Sequence, residues 1–337
     1  MKRQFSALAA ALTVLIAAIV CSANVREGIL TAGNRCLTVL IPSLYLYSLL
    51  ASFLIRSGGI ASLGRLFGKR GKLWAVVLFS QIGGYPVGAQ LLHEMQKKGE
   101  ISKEAERNLL CVCIGCGPAF LLGTVCSGLP RSLTCWMMLS VCLPNLLLAP
   151  LFLRELPETA DFLLKKPFAV LLIESAECAA SAMLGITSMV LAFAAGMGIL
   201  DGMGCCSLLP VSMQSILRTA LEVSCITEYL HAGGTLPVAA GLLAFGGICV
   251  HLQIAAICEG NVAWGKFLLC RIIASLLASG ICTVGVKWLF RDAVAASLMQ
   301  DRVVLTTGSI VPSICLLAMS VMLLREHLTQ NTLGITD

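Results

Sequence analysis

Two ionisable side chains, Glu222 and His251, stand inside long apolar stretches of this chain. A carboxylate at the centre of a bilayer costs roughly 2.5–3.5 kcal/mol on insertion scales, so such a residue commonly binds a ligand, a proton or a partner side chain. Histidine titrates near neutral pH and therefore suits proton-linked sites. Ser224 and Gln253 add polar groups beside them. These residue types predict a site for a small polar solute.

Both ionisable residues also have a purely structural interpretation. Glu222 can pair with Arg218, which precedes it by one helical turn, and so stabilise an awkward segment. His251 can be a buried donor that satisfies a neighbouring group. If Glu222 and His251 instead form one site near the bilayer midplane, their substitutions should be non-additive.

Four apolar stretches are interrupted at mid-length by glycine, proline or polar residues, two in each half of the chain. Unsatisfied backbone groups are costly in hydrocarbon, so broken helices persist only where protein buries them or where they line a cavity. Transporters use such breaks to bind a solute near the midplane. The interruptions are Gly83-Gly84-Tyr85-Pro86, Gly115-Cys116-Gly117-Pro118, Glu222-Val223-Ser224 and Gly246-Gly247.

The predicted site combines these breaks with the polar residues near them. Backbone groups freed around Gly84 and Gly117 can bond a polar solute, and the N-terminus of a half-helix favours an anionic group. Tyr85 either offers an aromatic face to the solute or packs the tip of its segment. The predicted solute-binding residues are Gly83, Gly84, Tyr85, Pro86, Gly117, Pro118, Glu222, Ser224, Gly246, Gly247, His251 and Gln253.

The composition predicts an integral membrane protein with almost no soluble part. Of 337 residues, 58% are hydrophobic and 12% are charged, whereas soluble domains average roughly 25% charged. A spanning helix needs about 20 mostly apolar residues. Segments 73–92 and 205–232 are long enough but interrupted. Segments that qualify as spans lie near 5–23, 37–55, 108–129, 132–153, 178–200, 234–258, 267–290 and 303–324.

Basic residues orient these segments. The stretch 73–96 has two halves around Gly-Gly-Tyr-Pro, and each half rises about 15 Å, half of a bilayer core, which is typical of a re-entrant hairpin. A straight crossing is the rival interpretation. With a hairpin, fourteen basic residues up to Lys166 lie inside and only Arg26, Arg35 and Arg131 lie outside, whereas a straight crossing gives eight inside and nine outside. The positive-inside rule therefore favours the hairpin and a cytoplasmic N-terminus.

The same orientation predicts two repeats of opposite direction, as in inverted-repeat transporters. Each repeat would contain an ordinary span, an interrupted segment, a broken helix and another ordinary span. The second hairpin, near 205–232, would enter from the outer side and turn at Pro210 or Glu222. Lys2-Arg3 and the apolar run after them resemble a secretory signal, but the spans that follow favour an uncleaved first helix. Arg26 and Arg35 would then bound a short polar loop.

The remaining motifs give no sign of an enzyme, a cofactor or a metal centre. The chain lacks a phosphate-binding G-x-x-x-x-G-K-[ST] sequence, and His93-Glu94 lacks the second histidine of a zinc protease motif. The cluster Cys111-x-Cys113-x-x-Cys116 has no matching ligand pair nearby, which favours buried free thiols. Residues 93–108 are predicted to form a solvated cytoplasmic turn. The net charge of +6 lies in loops and indicates topology, not nucleic-acid binding.

Ordered motifs lie across residues 37–260, in both halves of the chain. They are Ile41-Pro42-Ser43-Leu44, Gly84-Tyr85-Pro86-Val87-Gly88-Ala89-Gln90, Ile101-Ser102-Lys103-Glu104-Ala105-Glu106-Arg107, Gly117-Pro118-Ala119-Phe120, Leu221-Glu222-Val223, Ala244-Phe245-Gly246-Gly247 and Val250-His251-Leu252-Gln253-Ile254. These motifs resemble one known family, the sporulation integral membrane proteins of the YlbJ type, within the nucleoside-recognition or Gate superfamily. The resemblance implies inverted repeats with hairpins, a place in the membranes of spore formers and a role in making the spore cortex.

We therefore predict an all-α integral membrane protein, a polytopic helical bundle with two inverted repeats. Its expected function is secondary transport of a small polar solute, nucleoside-like or cortex-related, in the cell membrane. The alternative is a non-transporting scaffold for cortex assembly. The expected partners are the lipid bilayer and the solute, and a homo-oligomer stays open. The predicted divisions are an anchor at 1–36, a first repeat at 37–153, a cytoplasmic linker at 154–177, a second repeat at 178–290 and a C-terminal helix and tail at 291–337.

Overall fold

The computed structural model of the chain describes residues 2–64, 70–153 and 167–289, and every regular element in these ranges is a helix. Five of the described helices are long and apolar enough to cross a membrane, in agreement with an all-α, multi-pass membrane bundle. They cover Ser22–Arg56, Arg131–Leu153, Phe168–Gly202, Leu236–Ile257 and Trp264–Leu289. The predicted span 303–324 and the C-terminal division 291–337 lie outside the described residues.

Fifteen α-helices are labelled here in chain order. The helices are α1 Lys2–Val20, α2 Ser22–Arg35, α3 Ile41–Arg56, α4 Gly59–Gly64, α5 Gly71–Gly83, α6 Tyr85–Lys97, α7 Lys103–Leu109, α8 Pro118–Phe120, α9 Arg131–Leu153, α10 Phe168–Gly202, α11 Val211–Leu221, α12 Ile226–His231, α13 Leu236–Phe245, α14 Gly247–Ile257 and α15 Trp264–Val284.

Helices α2 and α3 form one 35-residue helix that packs against α10, which is also 35 residues long. A π-helical turn, Cys36–Leu40, joins α2 to α3. Pro42 follows this turn and has no N–H to donate, so a widened turn before it avoids a clash with the preceding carbonyl. The two long helices run antiparallel, because Gly28 lies against Ala194 while Gly198 lies against Asn24.

One sequence prediction about these segments is wrong. The polar loop expected between Arg26 and Arg35 is helical, so Arg35 lies inside a long helix and not at a loop end. The predicted span 108–129 is interrupted at its Gly-Cys-Gly-Pro sequence, but the irregular backbone begins earlier than the predicted break and extends from Leu110 to Gly117. Gly115, Gly117 and the proline at 118 all disfavour helical backbone there. Helix α10 begins at Phe168, within the predicted linker 154–177.

Helices α5 and α6 lie side by side and are joined at Gly84. A Cβ atom added at Gly88 would come within 2.8 Å of Ser80 Cβ, so the two helices touch directly after the turn. At their far ends, Lys72 Nζ lies 2.8 Å from Glu100 Oε2. The chain thus returns to the level at which α5 began. Both helices are 13 residues long.

The second half contains two further interruptions. The chain leaves helical geometry at Glu222, between α11 and a short 3-10 turn, Val223–Cys225, that leads into α12. Pro210, the other predicted turn position, directly precedes α11. Helices α13 and α14 meet at Gly246, whose φ of 91° is left-handed.

Candidate functional site

All four interruptions meet in the interior of the bundle. In the first half, Gly84 and Gly117 are in contact, since a Cβ atom added to Gly117 would lie 3.1 Å from Gly84 Cα. In the second half, a Cβ atom added to Gly247 would lie 3.1 Å from the nitrogen of Val223. Tyr85 joins the two halves, because its hydroxyl donates to the Leu243 carbonyl at 2.6 Å.

Two of the breaks require glycine for conformational reasons. Gly84 has φ 89° and ψ 174°, a region that residues with a side chain almost never occupy. Gly246 has a left-handed φ, and a Cβ atom there would also lie 3.2 Å from the ring of Tyr85. A side chain at either position would disturb both the backbone and the contact between the two halves.

A small cavity lies where the breaks meet. Its volume is about 30 Å³, enough for one or two water molecules. Five of the predicted solute-binding residues line this cavity. They are Tyr85, Pro86, Gly117, Glu222 and Gln253. The other walls come from apolar side chains of α3, α10 and the breaks, namely Leu40, Leu44, Phe120, Ile186, Val190, Val223 and Val250.

Glu222 pairs with Arg35, and not with Arg218 as one interpretation of the sequence expected. Arg35 Nη1 lies 3.3 Å from Glu222 Oε2, and the carboxylate is 3% exposed. The backbone N–H of Ser224 donates to Glu222 Oε1 at 3.0 Å, and its hydroxyl donates to Oε2. Arg218 instead lies 2.6 Å from Asp201 at the end of α10. The extended backbone at Glu222 turns the carboxylate away from Arg218 and toward α2.

Arg35 also faces a second and larger cavity, which we call the vestibule. It has a volume of about 280 Å³ and lies among α2, the end of α10, and α11 and α12. Its charged lining residues carry both signs. They are Glu27, Arg35, Asp201, Arg218 and Glu228. Arg35 lines the vestibule and Glu222 lines the small cavity, so their ion pair lies between the two spaces.

His251 does not share partners with Glu222. Its Nε2 lies 2.9 Å from the carbonyl oxygen of Phe245. That carbonyl ends α13, where the left-handed Gly246 interrupts the helical ladder. The imidazole packs edge to face against the rings of Phe245 and Phe267. These contacts match the structural interpretation of His251 as a buried donor, and the side chain does not line the cavity.

Three polar side chains hold the irregular segment between Leu110 and Gly117. Arg271 is fully buried and donates to the carbonyls of Cys111 and Ile114, the latter at 3.1 Å. Asn145 donates to the same Ile114 oxygen at 2.7 Å. Gln81 donates to the Val112 carbonyl at 3.1 Å. Three of the carbonyls that the missing helix leaves free are thereby satisfied, as burial requires.

These three residues also bond to one another and to the second half. Asn145 Nδ2 lies 2.9 Å from Gln81 Oε1, and Arg271 donates to Asn145 Oδ1 at 2.7 Å. Arg271 further reaches the Ala244 carbonyl, at 3.4 Å, near the end of α13. No carboxylate forms a salt bridge with Arg271 in the described part of the chain. Its guanidinium group instead donates hydrogen bonds to carbonyl and amide oxygens.

Sequence reasoning missed Arg35, Gln81, Asn145 and Arg271. Arg271 carried a usable signal, because a charged residue within an apolar span is a functional candidate by default. Arg35 was assigned to a loop, so it was not recognised as a charged residue within an apolar span. The remaining predicted residues lie at the breaks without lining the small cavity. Gly83 packs against Val87, Ser224 bonds to Arg35 at 3.2 Å, and Pro118 begins the short helix after Gly117.

Comparisons of the chain with protein-family models, with curated proteins and with solved structures give no match.

Proposed function

We propose that this protein is a secondary transporter of a small polar solute, built from two inverted repeats that each contain a re-entrant hairpin and a broken helix. One observation carries the proposal: four broken segments from the two halves meet around one buried cavity. Irregular backbone at membrane depth is tolerated only where protein buries it or where it lines a cavity. Transporters with inverted repeats bind their solutes at such breaks.

The arrangement of the long helices supports the inverted repeat. Ser22–Arg56 and Phe168–Gly202 have equal length and run antiparallel. Each is followed by an interrupted segment, a broken helix and one ordinary helix, α9 in the first half and α15 in the second. The contact between Lys72 and Glu100 supports a re-entrant first hairpin, because both ends of α5 and α6 lie at one level.

The two cavities suggest how a solute would pass. A drug-sized ligand pocket is roughly 300–1,000 Å³, and the vestibule, at about 280 Å³, approaches the lower limit. The central cavity, at about 30 Å³, has room for only one or two water molecules. In the proposed cycle a solute enters the vestibule, the Arg35–Glu222 pair separates, and the central cavity widens between the breaks. Movement of one repeat against the other would then expose the opposite side.

The lining residues indicate the class of solute. The vestibule contains the guanidinium groups of Arg35 and Arg218 and the carboxylates of Asp201 and Glu228, which are paired as Arg35–Glu228 and Arg218–Asp201 in this structure. In the proposed cycle the solute would take the place of these partners. A solute with both hydrogen-bond donors and acceptors fits this lining better than a simple ion. The small cavity adds the amide of Gln253 and the ring of Tyr85. Nucleosides and other polar metabolites of similar size have this chemistry. The sequence resemblance to spore-cortex proteins is the reason for proposing that the transport serves sporulation.

Uptake into vesicles tests the proposal. Purified protein in liposomes is offered labelled nucleosides, amino acids and sugars, each at several pH values. We expect saturable uptake of at least one class, and at least about tenfold lower uptake by Glu222→Gln. The matched control is Glu104→Gln, which changes an exposed carboxylate on α7 away from both cavities. If no solute accumulates, while loop substitutions impair sporulation and Glu222→Gln does not, the scaffold alternative is favoured.

A further inference from the structure

Away from the proposed transport site, three donor side chains from separate elements meet beside the end of α14. His93 lies on α6, Glu106 lies on α7, and Cys258 directly follows α14. One donor atom from each residue lies within 4.8 Å of the others. His93 Nδ1 is 2.9 Å from Glu106 Oε1. Glu106 and Cys258 are both 1% exposed, so the cluster is not a group of surface side chains.

Further polar groups lie next to two of these donors. The Asn261 amide donates to Glu106 Oε2 and, at 3.0 Å, to the carbonyl of Lys103. Glu259 Oε1 lies 3.7 Å from His93 Nε2 and 3.1 Å from Lys97 Nζ. Metal-binding histidines commonly donate their other ring nitrogen to a carboxylate. Glu259 lies beside Nε2 but, at 3.7 Å, accepts no hydrogen bond from it in this structure.

Two features distinguish His93 Nε2 and Glu259 from their surroundings. His93 Nε2 is shielded from solvent and makes no hydrogen bond within the described residues, since 3.7 Å is too long for one. Glu259 has a φ of 50°, and it is the one residue other than glycine in the described chain with a positive φ. Such a conformation is unfavourable for a residue with a side chain. It holds the Glu259 carboxylate beside the imidazole.

We propose that His93 Nδ1, a Glu106 carboxylate oxygen and the Cys258 thiolate bind a Zn²⁺ ion, with water in the fourth position. Zinc accepts nitrogen, sulfur and oxygen donors in a tetrahedral arrangement. Magnesium and calcium prefer oxygen ligands alone, so this donor set disfavours them. This proposal replaces the sequence prediction that residues 93–108 form only a solvated turn, and it does not depend on transport.

Binding would release a proton and connect the two halves of the protein. Without a cation the Cys258 side chain is a buried free thiol. Zinc would form a bond to sulfur, and the thiol proton would leave to solvent. The ion would then link α6 and α7, which belong to the first half, to the end of α14, which belongs to the second.

Metal binding by the intact protein tests this proposal. Full-length protein in detergent is stripped with a chelator and titrated with Zn²⁺ alone, and Co²⁺ is then used as a spectroscopic substitute. We expect one Zn²⁺ per chain, a midpoint of thermal unfolding that rises with Zn²⁺ concentration, and a Co²⁺ spectrum with thiolate charge-transfer absorption. His93→Gln, Glu106→Gln and Cys258→Ser should each weaken Zn²⁺ binding at least about 100-fold. Replacing a residue that only orients a metal ligand already costs about 10- to 100-fold in affinity, and these variants remove the ligands themselves.

Matched controls separate a built site from adventitious binding. His231→Gln, Glu104→Gln and Cys135→Ser change exposed residues of the same three types outside the cluster, and should leave the Zn²⁺ affinity unchanged. Asn261→Ala should weaken binding about 10- to 100-fold without removing it. Absence of stoichiometric Zn²⁺ binding, or equal binding by folded Cys258→Ser protein, overturns the proposal. If Glu106→Gln fails to fold, the near-isosteric Cys258→Ser variant and the Co²⁺ spectrum still decide the matter.

Discussion

Arg35 Nη1 lies 3.3 Å from Glu222 Oε2, although 187 residues separate the two side chains in sequence. The pair joins the long helix of the first half to the break of the second half. Arg35 is 13% exposed and faces the vestibule, whereas Glu222 is 3% exposed and faces the central cavity. In the proposed cycle this pair is the contact that must open for a solute to pass.

The first prediction concerns this gate. Arg35→Ala removes the ion pair with Glu222 that must open in the proposed cycle, so a cysteine placed in the central cavity should react faster with a small thiol reagent. In a Gln253→Cys background we expect the labelling rate at position 253 to rise at least about tenfold, measured by mass spectrometry of the labelled peptide. Arg26→Ala, an exposed arginine on the same helix, is the control and should leave the rate unchanged. Equal rates in both variants would contradict the gate.

The second prediction concerns the backbone at Gly84. Leucine there must adopt a φ near 89°, and its Cβ would press on Leu44 Cδ2 at 3.1 Å. We expect Gly84→Leu to abolish uptake while protein still reaches the membrane. Gly185→Leu adds the same side chain at an exposed helical site with open space, and should transport normally. A well-expressed Gly84→Leu protein with full uptake would favour the scaffold function.

The third prediction concerns the buried guanidinium of Arg271. Methionine there removes the donors to the Cys111 carbonyl and to Asn145 Oδ1, and each unsatisfied buried group costs about 1–3 kcal/mol. We therefore expect Arg271→Met to lower stability by about 3 kcal/mol or more, seen as an earlier thermal transition in detergent and a lower protein level. The control is Lys266→Met, an exposed site on the same helix. A wild-type transition in Arg271→Met would show that the network is dispensable.

The fourth prediction separates Glu222 from His251. The two residues have no common bonding partner, because Glu222 bonds to Arg35 and Ser224 while His251 bonds to the Phe245 carbonyl. Independent sites usually add within about 0.3–0.5 kcal/mol. We expect the uptake losses of Glu222→Gln and His251→Asn, expressed as free energies, to add in the double variant. A strongly non-additive result would instead support the single polar site that the sequence suggested.

The fifth prediction concerns orientation. If α5 and α6 form a re-entrant hairpin, Lys98 is cytoplasmic and Arg131 lies outside. In a background without the exposed Cys135 and Cys205, a cysteine at position 98 should react with an impermeant maleimide only from the inner side. A cysteine at 131 should react only from the outer side, and the background protein serves as the blank. Labelling of position 98 from outside would exclude the hairpin.

The sequence by itself determined the class of the protein and the positions of its breaks. Apolar length and low charge predict membrane helices, and these depend on local composition alone. Glycine at 84 and 246 and proline at 118 identify the interruptions, because their backbone preferences are also local. The all-helical architecture and the irregular backbone at each predicted break follow from these features.

Only the tertiary structure decided which polar groups meet. The partner of Glu222 lies on α2 and not one turn away, because the extended backbone at residue 222 redirects its side chain. The partners of Arg271 come from the irregular segment of the first half, from Asn145 on α9 and from the end of α13. His93, Glu106 and Cys258 meet only because α6, α7 and the end of α14 pack together. Pairings over such separations depend on how helices pack, and the spacing of residues along one chain does not encode them.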